Sequence, residues 1–398
     1  MLAALARGTT RLTGLLRADD TERMLESLRA LGVAVQVWGD EALIHGAGGF
    51  FPVKQADLFV GNAGTAARTL TAVLAFSQGE YRLDGIARMR ERPIDDLLVA
   101  LRTLGARIDC ELNEGFLPLA FHPARPTGRR VSVKGNVSSQ YLTALLMTAP
   151  LIAPPEGLLI AVEGDLISRP YIDITTSMMR TFGATVRETP EGFWVAPGCY
   201  AAQEHYVVEG DASGASYFLA LGALAGGPVR VEGVGRRALQ GDVAFADVLE
   251  DMGAHIERGE HHLQASLPSQ ARLQGVTLDC TKIPDAAMTL VPMALKTTGP
   301  VRLTGIASWR VKETDRIAAM AAEMRKLGAV VREGSDWLEV SRGERVVPEA
   351  SIRTYDDHRM AMSFSLAAAA GVPVVIEAPE CTAKTYPTYF DEFLRIVR

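Results

Sequence analysis

One pattern of small and apolar residues returns five times along this chain, and it restricts the fold more than any single motif does. "GNAGTAARTLTAVLA" begins at Gly61, "GNVSSQYLTALLM" at Gly135, "GDASGASYFLALGAL" at Gly210, "PDAAMTLVPMALKTT" at Pro284 and "DDHRMAMSFSLAAAA" at Asp356. Each is an Asn or Asp, then small residues, then an apolar run that reads as a helix. The polar starters Asn62, Asn136, Asp211, Asp285 and Asp357 stand 74, 75, 74 and 72 residues apart. A spacing this regular marks an internal structural repeat.

A second helix type alternates with the first, as "DDTERMLESLRALGVAV" near 19, "RPIDDLLVALRTLGARI" near 92, "RPYIDITTSMMRTFGATV" near 169, "GDVAFADVLEDMGAHI" near 241 and "ETDRIAAMAAEMRKLGAVV" near 313. Each ends on an apolar residue, a glycine (Gly32, Gly105, Gly183, Gly253, Gly328), a small residue and a β-branched run. Glycine there suits a left-handed residue that ends a helix and turns the chain into a strand. The unit therefore reads helix, strand, helix, strand with further short strands. Six units fit, three to a domain, with the break in the polar "PGCYAAQEHYVVEG" (197–210) and domains over 1–208 and 209–398. A solenoid or a closed barrel could also be built from such units; the unit length favours two compact α/β domains facing each other across a cleft. One period before Asn62 falls ahead of residue 1, so the first unit is expected to lack its helix start.

Composition removes several function classes. Hydrophobic residues make up 48% and charged residues 22% of 398, the balance of a soluble globular chain. A net charge of −6 argues against a nucleic-acid surface. Cys110, Cys199, Cys280 and Cys381 are scattered without a C-x-x-C pair, and there is no H-E-x-x-H, so no metal is expected and the thiols read as reduced, in a cytoplasmic protein. His261 and His262 read as a surface turn. P-loop, dinucleotide and G-x-S-x-G motifs are missing.

Within this acidic chain, "RMRERP" (88–93) and "WRVKETDR" (309–316) concentrate cations. Arg92, Arg316 and Arg359 stand at or near helix starts, where stability alone prefers acids. Either they pair with acids such as Glu91, Glu313 or Asp357, or they bind phosphate or carboxylate as planar forks. Asp285 and Glu313 read as helix caps or as proton carriers. Ser138 and Ser139, taken alone, read as caps of the helix that follows, with an anion site at its N-terminus as the competing reading.

Together "GNAGTAART", "RMRERPI", "GNVSSQYLTALLM", "LISRPYIDIT", "EGDASGASYF", "IPDAAMT", "WRVKETDR", "YDDHRMAMSFSL" and "CTAKTYPTYF" resemble the 5-enolpyruvylshikimate-3-phosphate synthase family, in order and over nearly the whole chain. The resemblance implies two domains of three βαβαββ repeats each, the inverse α/β barrel of the enolpyruvyl transferases, closing on substrates held between them. It implies transfer of the enolpyruvyl group of phosphoenolpyruvate to the 5-hydroxyl of shikimate 3-phosphate, with release of phosphate and without metal or organic cofactor. By the same resemblance Ser138, Ser139, Gln140, Ser168, Tyr171, Asp285, Ser308 and Lys312 bind shikimate 3-phosphate. Gly64, Arg92, Gln140, Arg316, Arg359 and Lys384 bind phosphoenolpyruvate, and Asp285 and Glu313 carry the protons. The partners implied are these two small molecules, acting on a monomer.

Three departures from the family pattern are visible. A Pro-Gly-Ser-Lys-Ser type opening, expected to supply a lysine touching both substrates, a serine and an arginine, has no counterpart, so the expectation is a shortened first repeat of doubtful turnover. Ser308 stands where many relatives have Asn, and Thr69 where Pro is frequent. Two alternatives follow: a related transferase acting on UDP-N-acetylglucosamine, whose loop cysteine has no match here, and an anion-binding relative without chemistry.

Overall fold

The computed structural model describes residues 1–136 and 138–397; Val137, inside the "GNVSSQ" motif, and Arg398 lie outside the described residues. The chain forms two units, Met1–Val208 and Glu209–Arg398, each with its own apolar core.

In the first unit the order is α1 (Leu2–Leu5), β1 (Arg7–Thr13), α2 (Asp19–Ala30), β2 (Ala34–Trp38) and β3 (Glu41–Ala47), then β4 (Gln55–Phe59), α3 (Gly64–Leu74), β5 (Glu80–Asp84), α4 (Asp95–Thr103), β6 (Arg107–Cys110) and β7 (Leu119–His122). There follow β8 (Arg130–Lys134), α5 (Ser139–Ile152), β9 (Leu158–Glu163), α6 (Arg169–Thr181), β10 (Val186–Thr189), β11 (Gly192–Val195) and β12 (His205–Val207). The second unit runs α7 (Ala212–Ala225), β13 (Val229–Glu232), α8 (Phe245–Asp251), β14 (His255–Arg258), β15 (His262–Ser266), β16 (Val276–Asp279), α9 (Leu290–Met293), β17 (Val301–Thr304) and α10 (Arg316–Lys326). It closes with β18 (Val330–Glu333), β19 (Leu338–Ser341), β20 (Ala350–Ile352), α11 (His358–Ala369), β21 (Val374–Ile376) and α12 (Tyr389–Val397).

Three sheets repeat one plan: β4-β5-β7-β6, β8-β9-β11-β10 and β16-β17-β19-β18 each place two parallel strands beside an antiparallel hairpin. The first sheet, β12-β1-β3-β2, has the same plan with one exchange. Its parallel strand is β12, from the end of the unit, paired Arg11↔His205 through Thr13↔Val207. Within 197–210, where the two units divide after Val208, His205–Val207 also satisfy the edge of β1, whose N–H and C=O groups need partners. Two sheets of the second unit are shorter, β13-β15-β14 and the parallel pair β20-β21.

The first helix type is apolar all round and lies inside. Residues 212–224 of α7 and 358–367 of α11 are buried throughout, as are most of α3 and α5. A helix without a polar face has no solvent side. One copy departs from the expectation: "PDAAMT" forms a 3-10 turn (Ala286–Thr289) and only a four-residue α9, because Pro292 removes a donor early in the run. The second type is amphipathic, and each copy ends alike. Gly32, Gly105, Gly183, Gly253 and Gly328 all have φ between 81° and 100°. In each case the next residue's N–H returns to the carbonyl five residues back: Val33 to Leu28, Ala106 to Leu101, Ala184 to Met179, Ala254 to Leu249 and Ala329 to Met324. This bond pattern closes the helix and aims the chain straight into the next strand. The His261–His262 pair lies where β14 turns into β15, with His262 the first residue of β15.

Candidate active site

Parallel neighbours β8 and β9 run in one direction, so the helices that follow them start at the same edge of the sheet. The hydroxyls of Thr143, one turn into α5, and Thr175, nearly two turns into α6, meet at 2.8 Å and fasten the two helices together. That edge carries Ser138, Ser139 and Gln140 on α5 and Ser168 and Tyr171 on α6. Ser138 caps α5, its Oγ accepting from the Gln140 N–H at 3.3 Å. Capping uses one lone pair of the hydroxyl and leaves it able to donate. Ser168 is held left-handed, at φ 54°, a strain of about 1–2 kcal/mol that a non-glycine residue keeps only where its surroundings impose it.

The same logic joins α3 to the 3-10 turn Met89–Glu91 after β5. Arg92, at the end of that turn, is 5% exposed and its Nη1 lies 3.2 and 3.3 Å from the Asn62 carbonyl and side-chain oxygens. Gly64 opens α3 directly against this guanidinium: a Cβ there would stand 2.7 Å from Arg92 Nη2. Glycine is required for that approach. The acid expected as a surface partner for Arg92, Glu91, pairs with Arg88 instead.

The second unit gathers charge. Arg316, first residue of α10 and 1% exposed, holds three carboxylates: Asp357 from Nε at 2.8 Å, Asp285 from Nη1 at 3.0 Å and Glu313 from Nη2 at 2.7 Å. Asp285 also meets Arg359 Nη2 at 3.3 Å and Lys312 Nζ at 3.9 Å, while Glu313 meets Lys384 Nζ at 3.5 Å. Lysine and arginine thus alternate with carboxylates through this cluster. Burial opposes ionisation of Asp285, but Arg359, then Lys312 and Arg316, outweigh it and hold this carboxyl far below the usual carboxylate range. The Arg316 guanidinium, though desolvated, is kept charged by Asp357, Glu313 and Asp285.

Local sequence explains these positions. Asp285 precedes a 3-10 turn and makes no cap, so its carboxylate is turned to the cations. Asp357, at the corresponding repeat position, caps α11 through the Arg359 N–H at 2.9 Å and binds Arg316 as well. The buried Trp309 donates from Nε1 to the Pro284 carbonyl at 2.7 Å, tying the 3-10 turn Ala307–Val311, with half-buried Ser308 in it and Lys312 at its end, to the backbone beside Asp285. Two consecutive left-handed residues, Tyr355 and Asp356, lead into α11, and Tyr355 is anchored to buried Glu323 at 2.8 Å. Arg359 Nη1 lies 3.4 Å from the hydroxyl of buried Tyr217. Burial above all keeps that hydroxyl protonated, its pKa pushed up to about 12. His358 is held neutral, its pKa driven down first by burial and then by Arg359 and Lys384.

Of the residues singled out in the sequence, Asp285, Lys312, Glu313, Arg316, Arg359 and Lys384 meet in the second unit. The helix starts bearing Ser138, Ser139, Gln140, Ser168 and Tyr171, and the pair Gly64 and Arg92, belong to the first. Trp309, Tyr217 and Asn62 were not singled out as site residues, Asn62 being visible only as a starter of the repeat; Asp357, expected as a starter and as an acid that could pair with an arginine, does pair with Arg316.

The family profile described as EPSP synthase (3-phosphoshikimate 1-carboxyvinyltransferase) matches residues 1–393. A 3-phosphoshikimate 1-carboxyvinyltransferase of Cellvibrio japonicus is 55% identical over 401 aligned positions, covering 100% of this chain and 93% of that protein. One from Thiobacillus denitrificans is also 55% identical with the same coverage. Among solved structures, an EPSP synthase from Acinetobacter baumannii superposes with a TM-score of 0.79 at 25% identity, covering 99% of this chain and 91% of that one. The enolpyruvyl transferase NikO from Streptomyces tendae, at 17% identity and a TM-score of 0.76 over 100% of this chain and 91% of that one, shares the fold.

Proposed function

The chain belongs to the EPSP synthase (3-phosphoshikimate 1-carboxyvinyltransferase) family, the transferases that move the enolpyruvyl group of phosphoenolpyruvate to the 5-hydroxyl of shikimate 3-phosphate in aromatic amino-acid biosynthesis, and we propose how its residues perform that step. The observation that carries the proposal is the Arg316 fork, which holds Asp285 and Glu313 on two nitrogens of one guanidinium, each with a further cation at hand.

Addition joins the 5-oxygen to C2 of phosphoenolpyruvate, moves the hydroxyl proton away and delivers a proton to C3. Elimination removes a proton from C3 again and expels phosphate, leaving the enol ether. Asp285 accepts the hydroxyl proton and Glu313 serves the methylene carbon. Without substrate Asp285 is a weak base, because its cations stabilise the carboxylate. The phosphates and carboxylates of the two substrates compete for Arg359, Lys312, Arg316 and Lys384, and as those cations turn to the ligands Asp285 gains basicity where it is needed. Preplaced cations also stabilise the charge that leaves with phosphate.

The hydroxyls and N–H groups at the starts of α5 and α6 suit the 3-phosphate of shikimate, with Ser138, Ser139 and Ser168 as donors, Gln140 between the substrates and Tyr171 against the ring. Gly64 and Arg92, with Arg316, Arg359 and Lys384, take phosphoenolpyruvate; Lys312 and Ser308 serve the shikimate hydroxyl and carboxylate side. In this reading residues 1–208 chiefly hold shikimate 3-phosphate and 209–398 supply the proton carriers. A monomer acting in the cytoplasm, without nucleic acid, is the accompanying proposal; the net charge of −6 and four free thiols support it. No helix among the described residues is long and apolar enough to cross a membrane.

Phosphate release from the two substrates tests the assignment. Asp285→Ala is expected to lower kcat by about 10²- to 10⁴-fold, the usual span for a lost general base, with the shikimate 3-phosphate dissociation constant within threefold by calorimetry. Turnover that survives Asp285→Ala would overturn the role of that residue.

A further inference from the structure

One backbone carbonyl in the first unit is shared by three of the elements that carry the phosphoenolpyruvate residues. The Pro93 oxygen accepts from Arg68 Nη2 at 2.9 Å and from the Tyr141 hydroxyl at 2.6 Å. Arg68 lies one turn beyond Gly64 on α3, Tyr141 follows Gln140 on α5, and Pro93 follows Arg92. Arg68 is 3% exposed and Tyr141 2%, so both bonds are made away from water. A carbonyl has two lone pairs, and these two donors use both.

The geometry gives this knot a consequence beyond packing. Arg92 sits in extended backbone at φ −84° and ψ 121°, as the residue before a proline must, and Pro93 contributes no N–H that could fix it elsewhere. The Arg92 guanidinium meets Asn62 at 3.2 and 3.3 Å, and because its side chain springs from the Arg92–Pro93 backbone, a shift of that backbone shifts the guanidinium. That place matters to within a few tenths of an ångström, since the guanidinium packs on the bare face of Gly64. The Tyr141 hydroxyl remains a donor, because burial, above all, raises its pKa from the ordinary value. Arg68 is fixed on its other side by Met89 Sδ, 3.1 Å from Nη1.

We propose that Tyr141, with Arg68, is a positioning residue of the transferase: through the Pro93 carbonyl it sets Arg92 in register with Gly64 and Gln140, and so governs affinity for phosphoenolpyruvate. The inference rests on the assignment of Gly64, Arg92 and Gln140 to that substrate. It differs from a packing role in naming which substrate suffers when the hydroxyl is lost.

The test compares Tyr141→Phe with Tyr200→Phe. Tyr200 is 1% exposed and its hydroxyl bonds the Met147 carbonyl of the same helix at 2.8 Å, so it matches Tyr141 in burial and bond type but not in what the bond holds. For Tyr141→Phe, KM for phosphoenolpyruvate is expected to rise about five- to tenfold, the loss of one buried hydrogen bond, with kcat and KM for shikimate 3-phosphate within twofold. Calorimetric affinity for phosphoenolpyruvate reads the same change without turnover. Tyr200→Phe is expected to lower the melting temperature alone. Arg68→Lys, which keeps the charge but loses the fork, reaches the same carbonyl from α3 and gives the same selective loss; it decides the matter if Tyr141→Phe does not melt cooperatively. Equal behaviour of the two tyrosine variants, with no change confined to phosphoenolpyruvate, would overturn the positioning role. Arg92→Ala is measured in parallel: if it leaves phosphoenolpyruvate affinity unchanged, the substrate assignment itself has failed, and the positioning role with it.

Discussion

The two units share a repeat but use the starts of its helices in opposite ways. In Met1–Val208 those starts offer hydroxyls, an amide and backbone N–H groups, with Arg92 before α4 and Arg169 opening α6. In Glu209–Arg398 they carry a packed lattice in which Arg316 alone touches three carboxylates. Neutral donors recognise an anion without needing a counter-ion of their own, and they are inexpensive to keep ready. Buried ion pairs are different: their desolvation consumes much of their attraction, so they contribute little net stability while making each member hard to remove. The contrast teaches where chemistry can be housed, since a carboxylate able to move a proton needs cations that can be drawn away from it, and the second unit gathers such cations around Asp285 and Glu313.

The widest gap between the units should appear on removing one capping residue from each. Asp357→Ala takes from buried Arg316 one of its three carboxylates, leaving Nε unpaired, and strips the α11 cap, a loss of about 3 kcal/mol in urea denaturation. Ser138→Ala, a cap that pairs with no charge, should cost about 1 kcal/mol. Comparable losses would mean that the lattice behaves as an ordinary set of caps.

Titration sharpens the contrast within the second unit. Asp285 has a depressed pKa, so the stability it lends is complete above its unfolded value of about 3.9 and is lost as pH falls below that, toward its folded value. Asp242 behaves the other way. Burial, and then Asp285, raise it to about 6, so stability is lost as pH climbs from about 4 to 6, while the unfolded chain is already deprotonated. Its Oδ2 accepts from the Ser213 hydroxyl at 2.6 Å, a bond that an asparagine oxygen can keep. Asp242→Asn should therefore flatten the decline between pH 4 and 6 and raise stability at pH 7 by up to about 3 kcal/mol. A pH profile unchanged by the substitution would show that Asp242 titrates normally.

In the first unit the sensitive quantity is space rather than charge. Gly64→Ala introduces a methyl 2.7 Å from Arg92 Nη2, and the flexible end of the arginine can yield. Stability should hardly change, while KM for phosphoenolpyruvate rises about tenfold, equivalent to roughly 1.4 kcal/mol. A large loss of stability instead would place the strain in the backbone.

How much of this was legible depends on how far apart the partners lie in the chain. The repeat, the apolar inner helices and the five left-handed glycines are local patterns, and the sequence shows them plainly. The cations at helix starts were legible too, because they stand where the dipole disfavours them. Three things were not. That β12 pairs with β1 is a contact across almost the whole first unit, with no periodic signal in three residues. Pro292, in plain view, falls within the short helix after Asp285, and the Asp285 carboxylate makes no cap there. Arg316 meets Asp357 across 41 residues and Asp285 across 31, so their lattice emerges only when separate repeats are brought together.

The smallest effect tests the repeat itself, by asking whether one glycine does the same work in each unit. Gly183 and Gly328 end equivalent helices with φ of 86° and 81°, so a Cβ strains both backbones alike. The surroundings differ. At Gly328 the added carbon would lie 2.2 Å from the Arg345 carbonyl oxygen, which is backbone and cannot swing away, whereas at Gly183 the nearest atom is Ala201 Cβ at an ordinary 3.6 Å. Gly328→Ala must therefore move the chain after β19 and should cost more than the left-handed strain. Gly183→Ala should cost that strain alone, about 1 kcal/mol in urea denaturation. Equal losses at the two sites would mean that the loop at Arg345 gives way freely, leaving the left-handed turn as the only work the glycine does in either unit.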